Sequence, residues 1–177
     1  KQNIGGKKIT IVFPEPTDAR VLGAAVRLKS DDLVEPILVG NPSEVNKIAS
    51  ARGLIIDNLK IIDPEKFDKI DEMVEAFIVR RNGKATEDQA RATLKDENYF
   101  GTMLVYMDLA DGLVSGAIHS TGDTIRPALQ IIKTKPGVSR TSGAFLMVGN
   151  RDSEKYIFSD CAININPDAQ ALAEIAV

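Results

Sequence analysis

The feature that most constrains this chain is a short, largely β-branched run at residues 9–13 (ITIVF), stopped by Pro14. Such a run lacks the polar alternation of a half-exposed strand, so it predicts a strand covered on both faces, as in a parallel sheet with helices above and below. A strand of this kind needs a helix after it, and the chain supplies one. Thr17 is placed to cap a helical pattern with apolar positions at Val21, Leu22, Ala25, Val26 and Leu28. The pair then recurs. Residues 36–40 (PILVG) read as a second strand, and Asn41, Pro42 and Ser43 open a helix that reaches about Arg52 before Gly53 closes it. A third strand at 59–63 passes through Pro64 into an amphipathic stretch carrying Phe67, Ile70, Met73, Val74, Phe77 and Ile78 on one side.

Thr86 and Gln89 have the spacing of a capping box, and residues 99–109 form a mostly apolar helix that Gly101 weakens. Residues 112–118 (GLVSGAI) predict a small-residue strand, followed by a hydroxyl-rich turn and a helix through Arg126 to Lys133. Beyond the turn at Lys135, Pro136 and Gly137, residues 144–148 and 156–158 suggest an antiparallel hairpin, and residues 167–177 a further helix. The alternation predicts an α/β fold: a three-layer αβα arrangement around a mainly parallel sheet. The register of the chain changes near residues 139–143, so a domain boundary is expected near residue 140. Lys1 stands where a Met would begin a chain, and the last helix is still apolar at Val177, so both ends are expected to be incomplete.

Composition excludes several classes. With 44% apolar residues among 177, the chain can bury a sizeable core, and its net charge of −3 argues against a nucleic-acid surface. Its apolar runs are far shorter than the roughly 20 residues that a bilayer span needs. One cysteine and one histidine make neither an internal disulfide nor a good metal set, so no metal, no membrane and a cytoplasmic setting are expected. Cys161 reads as a small buried apolar residue rather than a reactive thiol.

The chemistry concentrates between Asp111 and Gly143. A glycine-bearing strand runs into Ser120 and Thr121 and then into a helix whose first turn would contain Arg126, offering an anion backbone N–H groups, hydroxyls, a helix dipole and a planar guanidinium. Spacing alone favours a plainer reading, in which Thr121 or Asp123 caps the helix and Arg126 is a solvated surface charge. Arg80 by the same measure could be a helix C-terminal cation. His119 is the natural candidate for a general base, yet a lone histidine at a strand end is more often a hydrogen-bonded structural residue. Arg140 could face a cleft or hold a surface carboxylate, and Asp18 with Arg20 suits a helix first turn and a surface ion pair.

The string DGLVSGAIHSTGD with IRPALQIIKTKPGVSR resembles the signature of the phosphate acetyl/butyryl transferase family, its acetyl-specific branch above all. FPEPTDAR at 13–20 and YFGTMLVYMDLADGLVSG at 99–116 are similar to the family's corresponding segments. The resemblance implies an enzyme that interconverts acetyl-CoA and phosphate with acetyl phosphate and CoA in acetate metabolism. It implies a homodimer acting on small molecules, with coenzyme A as a substrate and no permanently bound cofactor. By position, Arg126 resembles the arginine that binds the phosphoryl group and Arg80 a second active-site arginine. Ser115, Ser120 and Thr121 would be phosphate-side donors.

The resemblance also implies two α/β domains, with residues 1–140 as the N-terminal one and 141–177 as the truncated start of the second. It places the family's Ser-Arg pair and its aspartate base in a C-terminal part of a chain about twice this length. The isolated 177 residues are therefore expected to turn over weakly or not at all. Two other readings remain: a non-catalytic phosphate-binding or interaction module, and a phosphate butyryltransferase.

Overall fold

The structure, a computed structural model, describes residues 8–149 and 154–176, which divide into two compact units meeting between Lys133 and Thr134. In the first unit, four strands form one parallel sheet: β1 (Thr10–Phe13), β2 (Glu35–Val39), β3 (Lys60–Ile62) and β4 (Gly112–Leu113), in the order β3-β2-β1-β4. Thr10 lies opposite Glu35 and Ile11 opposite Gly112, so β1 is central and pairs on both sides.

Among its described residues the unit has six α-helices, α1 (Ala19–Ser30), α2 (Pro42–Ala51), α3 (Ile70–Arg81), α4 (Glu87–Thr93), α5 (Glu97–Tyr106) and α6 (Thr121–Ile131), and a 3-10 turn at Pro64–Lys66. Successive strand residues point to opposite faces, and the core divides accordingly. Phe13 and Leu38 pack with Leu22 and Ala25 of α1 and with Val45 and Ala49 of α2. On the other face, Val12, Ile37 and Val39 pack with Met73, Val74 and Phe77 of α3, Phe100, Met103 and Leu104 of α5, and Ile131 of α6. The result is the three-layer αβα arrangement expected from the alternation.

Local chemistry sets most boundaries. Asn41 caps α2 by accepting from the Ser43 N–H at 2.9 Å, with Pro42 at the first helical position. Thr86 and Gln89 complete both bonds of the capping box on α4. On α1 the cap is Asp18 rather than Thr17, its Oδ1 accepting from the Arg20 N–H at 2.8 Å, because a carboxylate placed one residue later reaches the same orphan donors. Gly101 does more than weaken α5. A Cβ there would stand 2.7 Å from Leu113 Cδ1 and 3.0 Å from Val12 Cγ1, so its absence lets α5 lie close on β1 and β4.

The second unit contains a two-stranded antiparallel sheet, β5 (Ala144–Val148) with β6 (Lys155–Ser159), and α7 (Ala169–Ala176). The hairpin matches the expectation with β6 one residue longer at each end, while Val177 lies outside the described residues. Cys161 is exposed, which corrects the buried position expected for it: it sits in the turn after β6, where its Sγ donates to the Phe158 carbonyl.

Candidate active site

The order of the sheet fixes where a ligand crevice can form. From β1 the chain moves outward to β2 and β3, then crosses to the other side of β1 to make β4, so the topological switch lies between β1 and β4. Open parallel sheets present their binding crevice at the carboxyl ends of the strands at such a switch. Two loops meet there: residues 14–17 after β1, and residues 114–120 after β4. A cleft of about 290 Å³ lies beside them, with Phe13, Glu15, Arg20, Val114 and Ser115 in its wall.

Glu15 dominates this junction, and the sequence reading passed over it. Its side chain is only 1% exposed. Oε2 accepts from the N–H groups of Gly116 at 3.0 Å and Ala117 at 2.8 Å, while Oε1 accepts from Ile118 at 3.0 Å and His119 at 2.9 Å. His119 Nδ1 stands 2.7 Å from Oε1. Burial by itself would raise the carboxyl pKa, but the backbone bonds and the His119 ring outweigh it and hold the group at about 2. The carboxylate is thus an acceptor only, so Nδ1 carries the proton and the imidazole tautomer is set. His119 takes the hydrogen-bonded structural role weighed for it from sequence.

This clamp explains why β4 ends at Leu113 instead of running to 118 as predicted. Four successive amides turn toward one carboxylate, helped by Gly116 at φ +107°, and cannot continue a ladder. It also revises the anion site. The N–H groups of residues 116–119 form a nest suited to a phosphate, yet a carboxylate of the chain already fills it.

What remains open to solvent is the start of α6. Ser120 is its cap, with Oγ accepting from the Asp123 N–H at 3.2 Å and donating to Asp123 Oδ2 at 2.7 Å. Thr121 and Gly122 are exposed in the first turn, whose leading N–H groups have no intrahelical partner by geometry. Arg126 is the sixth helical residue and so lies in the second turn rather than the first. Its guanidinium folds back, with Nη2 3.9 Å from where a Cβ on Gly122 would be and Nη1 3.5 Å from Asp123 Oδ1. Both partners of that pair are more than half exposed, so the pair is weak and exchangeable.

Ser115 lies deeper, its Oγ donating to Asn98 Oδ1 at 2.7 Å, while Asn98 is 2% exposed and its Nδ2 is without a partner among the described residues. Arg80 sits at the far end of α6. Its Nε and Nη2 donate to the carbonyls of Ile131 and Ile132, and its guanidinium carbon lies 5.2 Å from the centre of the Tyr106 ring. Ser120, Thr121 and Arg126 are thus brought together at the start of α6, Ser115 is held separately on Asn98 of α5, and Arg80 occupies the opposite end of α6. Arg20 donates to Asp18 Oδ2 at 2.7 Å and to the Ala117 carbonyl at 3.2 Å, its hydrogen bond holding the Asp18 carboxyl well below the usual range.

In the second unit, Arg140 lies 3.5 Å from Glu174 and 3.9 Å from Asp168. Among the described residues, no cluster of three His, Cys, Asp or Glu side chains is placed to hold a metal ion, and no helix is long and apolar enough to cross a membrane.

A parallel sheet covered by helices on both faces, with its topological switch between β1 and β4, places the first unit in the class of open-sheet α/β folds. Residues 1–177 match the model of the family described as phosphate acetyl/butaryl transferase, and the chain belongs to that family. It is 55% identical across all 177 residues to the phosphate acetyltransferase of Bacillus subtilis and 56% identical to that of Staphylococcus epidermidis, covering 54% and 53% of their lengths. Its fold superposes on a phosphotransacetylase of Staphylococcus aureus with a TM-score of 0.92 at 55% identity, covering 100% of this chain and 53% of that one. For a phosphotransacetylase of Streptococcus pyogenes the TM-score is 0.91 at 58% identity, covering 97% and 52%. The chain therefore spans about half the length of the relatives it matches.

Proposed function

We propose that this chain supplies the phosphate-side wall of a phosphate acetyltransferase, which transfers an acetyl group reversibly between CoA and phosphate. The observation that carries the reading is its likeness to phosphate acetyltransferases over every residue it contains. The start of α6 suits that role: Arg126 can leave its solvent-exposed partner Asp123 for a dianion, and the N–H groups of Thr121 and Gly122 add donors beside the Ser120 and Thr121 hydroxyls. In the reaction, the CoA sulfur attacks the acetyl carbonyl carbon as a thiolate. The bond from that carbon to the bridging phosphate oxygen then breaks, and phosphate leaves with the electron pair. Arg126 would stabilise the charge gathering on the departing phosphate.

Ser115 and Arg80 belong to this reading as further phosphate-side groups, Arg80 on condition that its guanidinium can be released from the end of α6. CoA and acetyl phosphate enter as substrates, with no permanently held cofactor, and the protein works in the cytoplasm as a homodimer. Residues 1–140 form most of one domain and 141–177 open a second.

The test is thioester formation from acetyl phosphate and CoA by the protein expressed from the reading frame that contains this chain. Arg126→Ala removes a charge-assisted contact worth roughly 1.5–3 kcal/mol, so kcat/KM for acetyl phosphate should fall roughly 10- to 150-fold. Unchanged kinetics would remove Arg126 from the site. The 177 residues alone should give little or no turnover, and acetyl phosphate synthesis by them at ordinary rates would refute that part. Phosphate binding without acetyl transfer by the longer protein would favour a non-catalytic binding module.

A further inference from the structure

We infer that Glu15 is a positioning residue of the phosphate site, fixing through the loop 116–119 and the His119 ring the place where α6 begins. The inference rests on the reading of α6 as the phosphate side of the site. Glu15 comes from the turn after β1, about 100 residues earlier in the chain, and it is pinned between two prolines, Pro14 and Pro16. Its carboxylate takes four consecutive amides and one ring nitrogen, and the last of those residues, His119, is followed directly by Ser120, the cap of α6. No slack separates the clamp from the helix start. A displacement of the loop therefore moves the Ser120 hydroxyl, the free N–H groups of the first turn and, one turn on, the guanidinium of Arg126.

The chain's own groups show what else could hold the loop. Arg20 reaches the Ala117 carbonyl at 3.2 Å but is itself exposed and tied to Asp18. Ser115 is anchored to Asn98 on α5 at 2.7 Å, one residue before the clamped amides begin. Neither bond involves residues 118–119. Position there depends on Glu15, and a neutral amide in its place would offer one acceptor oxygen and an NH2 group facing amides that also donate.

The experiment compares wild type with Glu15→Gln and the milder His119→Gln in the protein as expressed from its reading frame. It measures three quantities: KM for acetyl phosphate, KM for CoA, and the dissociation constant of inorganic phosphate by calorimetry. Glu15→Gln should raise the KM for acetyl phosphate and the phosphate constant at least tenfold, with the KM for CoA changed less than twofold. His119→Gln should shift them in the same direction by a smaller factor. A merely structural role would lower thermal stability and active fraction while leaving the KM values of the remaining folded enzyme unchanged, and that result overturns the inference.

An equal rise in both KM values overturns it too. If Glu15→Gln does not fold, His119→Gln decides by the same criteria. Should wild type bind phosphate but transfer no acetyl group, the functional reading fails and the phosphate constants alone test the positioning role. If wild type binds no phosphate, the inference falls.

Discussion

Gly101→Ala and Gly23→Ala are the same substitution in two helices, and their surroundings predict opposite signs. Ala is about 1 kcal/mol better than Gly inside a helix, and this gain applies to both positions. At Gly23 on α1 nothing lies within 4 Å of the added Cβ, so the gain should appear in full. At Gly101 the Cβ would come within 2.7 Å of Leu113 Cδ1 and 3.0 Å of Val12 Cγ1. Leu113 can swing its methyl away, but Val12 is fully buried and stiff about χ1, so α5 must lift from the sheet. Overpacking of this kind costs roughly 1–3 kcal/mol. Taking the middle of that range, Gly101→Ala should be destabilised by about 1 kcal/mol and Gly23→Ala stabilised by about 1 kcal/mol. At roughly 2–4 °C per kcal/mol for a chain of this size, the two melting temperatures should differ by about 4–8 °C. Urea unfolding with an unchanged m-value would assign the shifts to stability. A Gly101→Ala protein stabilised as much as Gly23→Ala would refute the close approach of α5 to β1.

Acid stability should report the clamp. Glu15 has a folded pKa of about 2 against an ordinary 4.5, so its contribution is complete above 4.5 and is lost as pH falls through that interval toward 2. Glu15→Gln should lower the urea midpoint at neutral pH and flatten its pH dependence between those values; a parallel downward shift with the slope retained would contradict the assignment. Arg80→Met keeps the apolar stem but removes two donors to the carbonyls of Ile131 and Ile132 and the stack on Tyr106, which should cost roughly 1–3 kcal/mol in urea unfolding. Should the midpoint hold while kcat/KM for acetyl phosphate falls, Arg80 serves substrate and not the helix end.

The layered fold was legible because its determinants are local. A both-faces-buried strand has to be a continuous apolar run, as residues 9–13 and 36–40 are, and Asn41-Pro42 or Thr86 with Gln89 fixes a helix start through neighbours within three residues. The site was legible only in part. Residues 112–118 carry the composition of a strand, and what cuts it at Leu113 is a carboxylate that lies about 100 positions away in sequence. A usable signal was present in FPEP: an acidic residue locked between two prolines at the carboxyl end of a buried parallel strand, where an unpaired charge would be costly. Cys161 shows the converse limit. Its strand-like setting after Asp160 suggested burial, yet the described hairpin that precedes it is exposed along both strands. Burial depends on what packs against a segment, which its own residues do not state.

The clamp also bears on how such a site could turn over. Four convergent amides at a strand switch would hold a phosphate tightly, and binding a ground state tightly does nothing to speed its conversion. Here that nest is filled by Glu15, and on the proposed reading an incoming anion would be left with the first turn of α6 and an arginine that sits in solvent beside Asp123. In the proposed reaction Asp123 would weaken the field that phosphate meets and compete for the guanidinium. Both effects would lower ground-state affinity, so that phosphate could leave after each cycle, while the same guanidinium would gain strength as charge develops on the departing oxygens. On that reading the carboxylate in the nest serves rigidity and leaves selectivity to the exchangeable arginine.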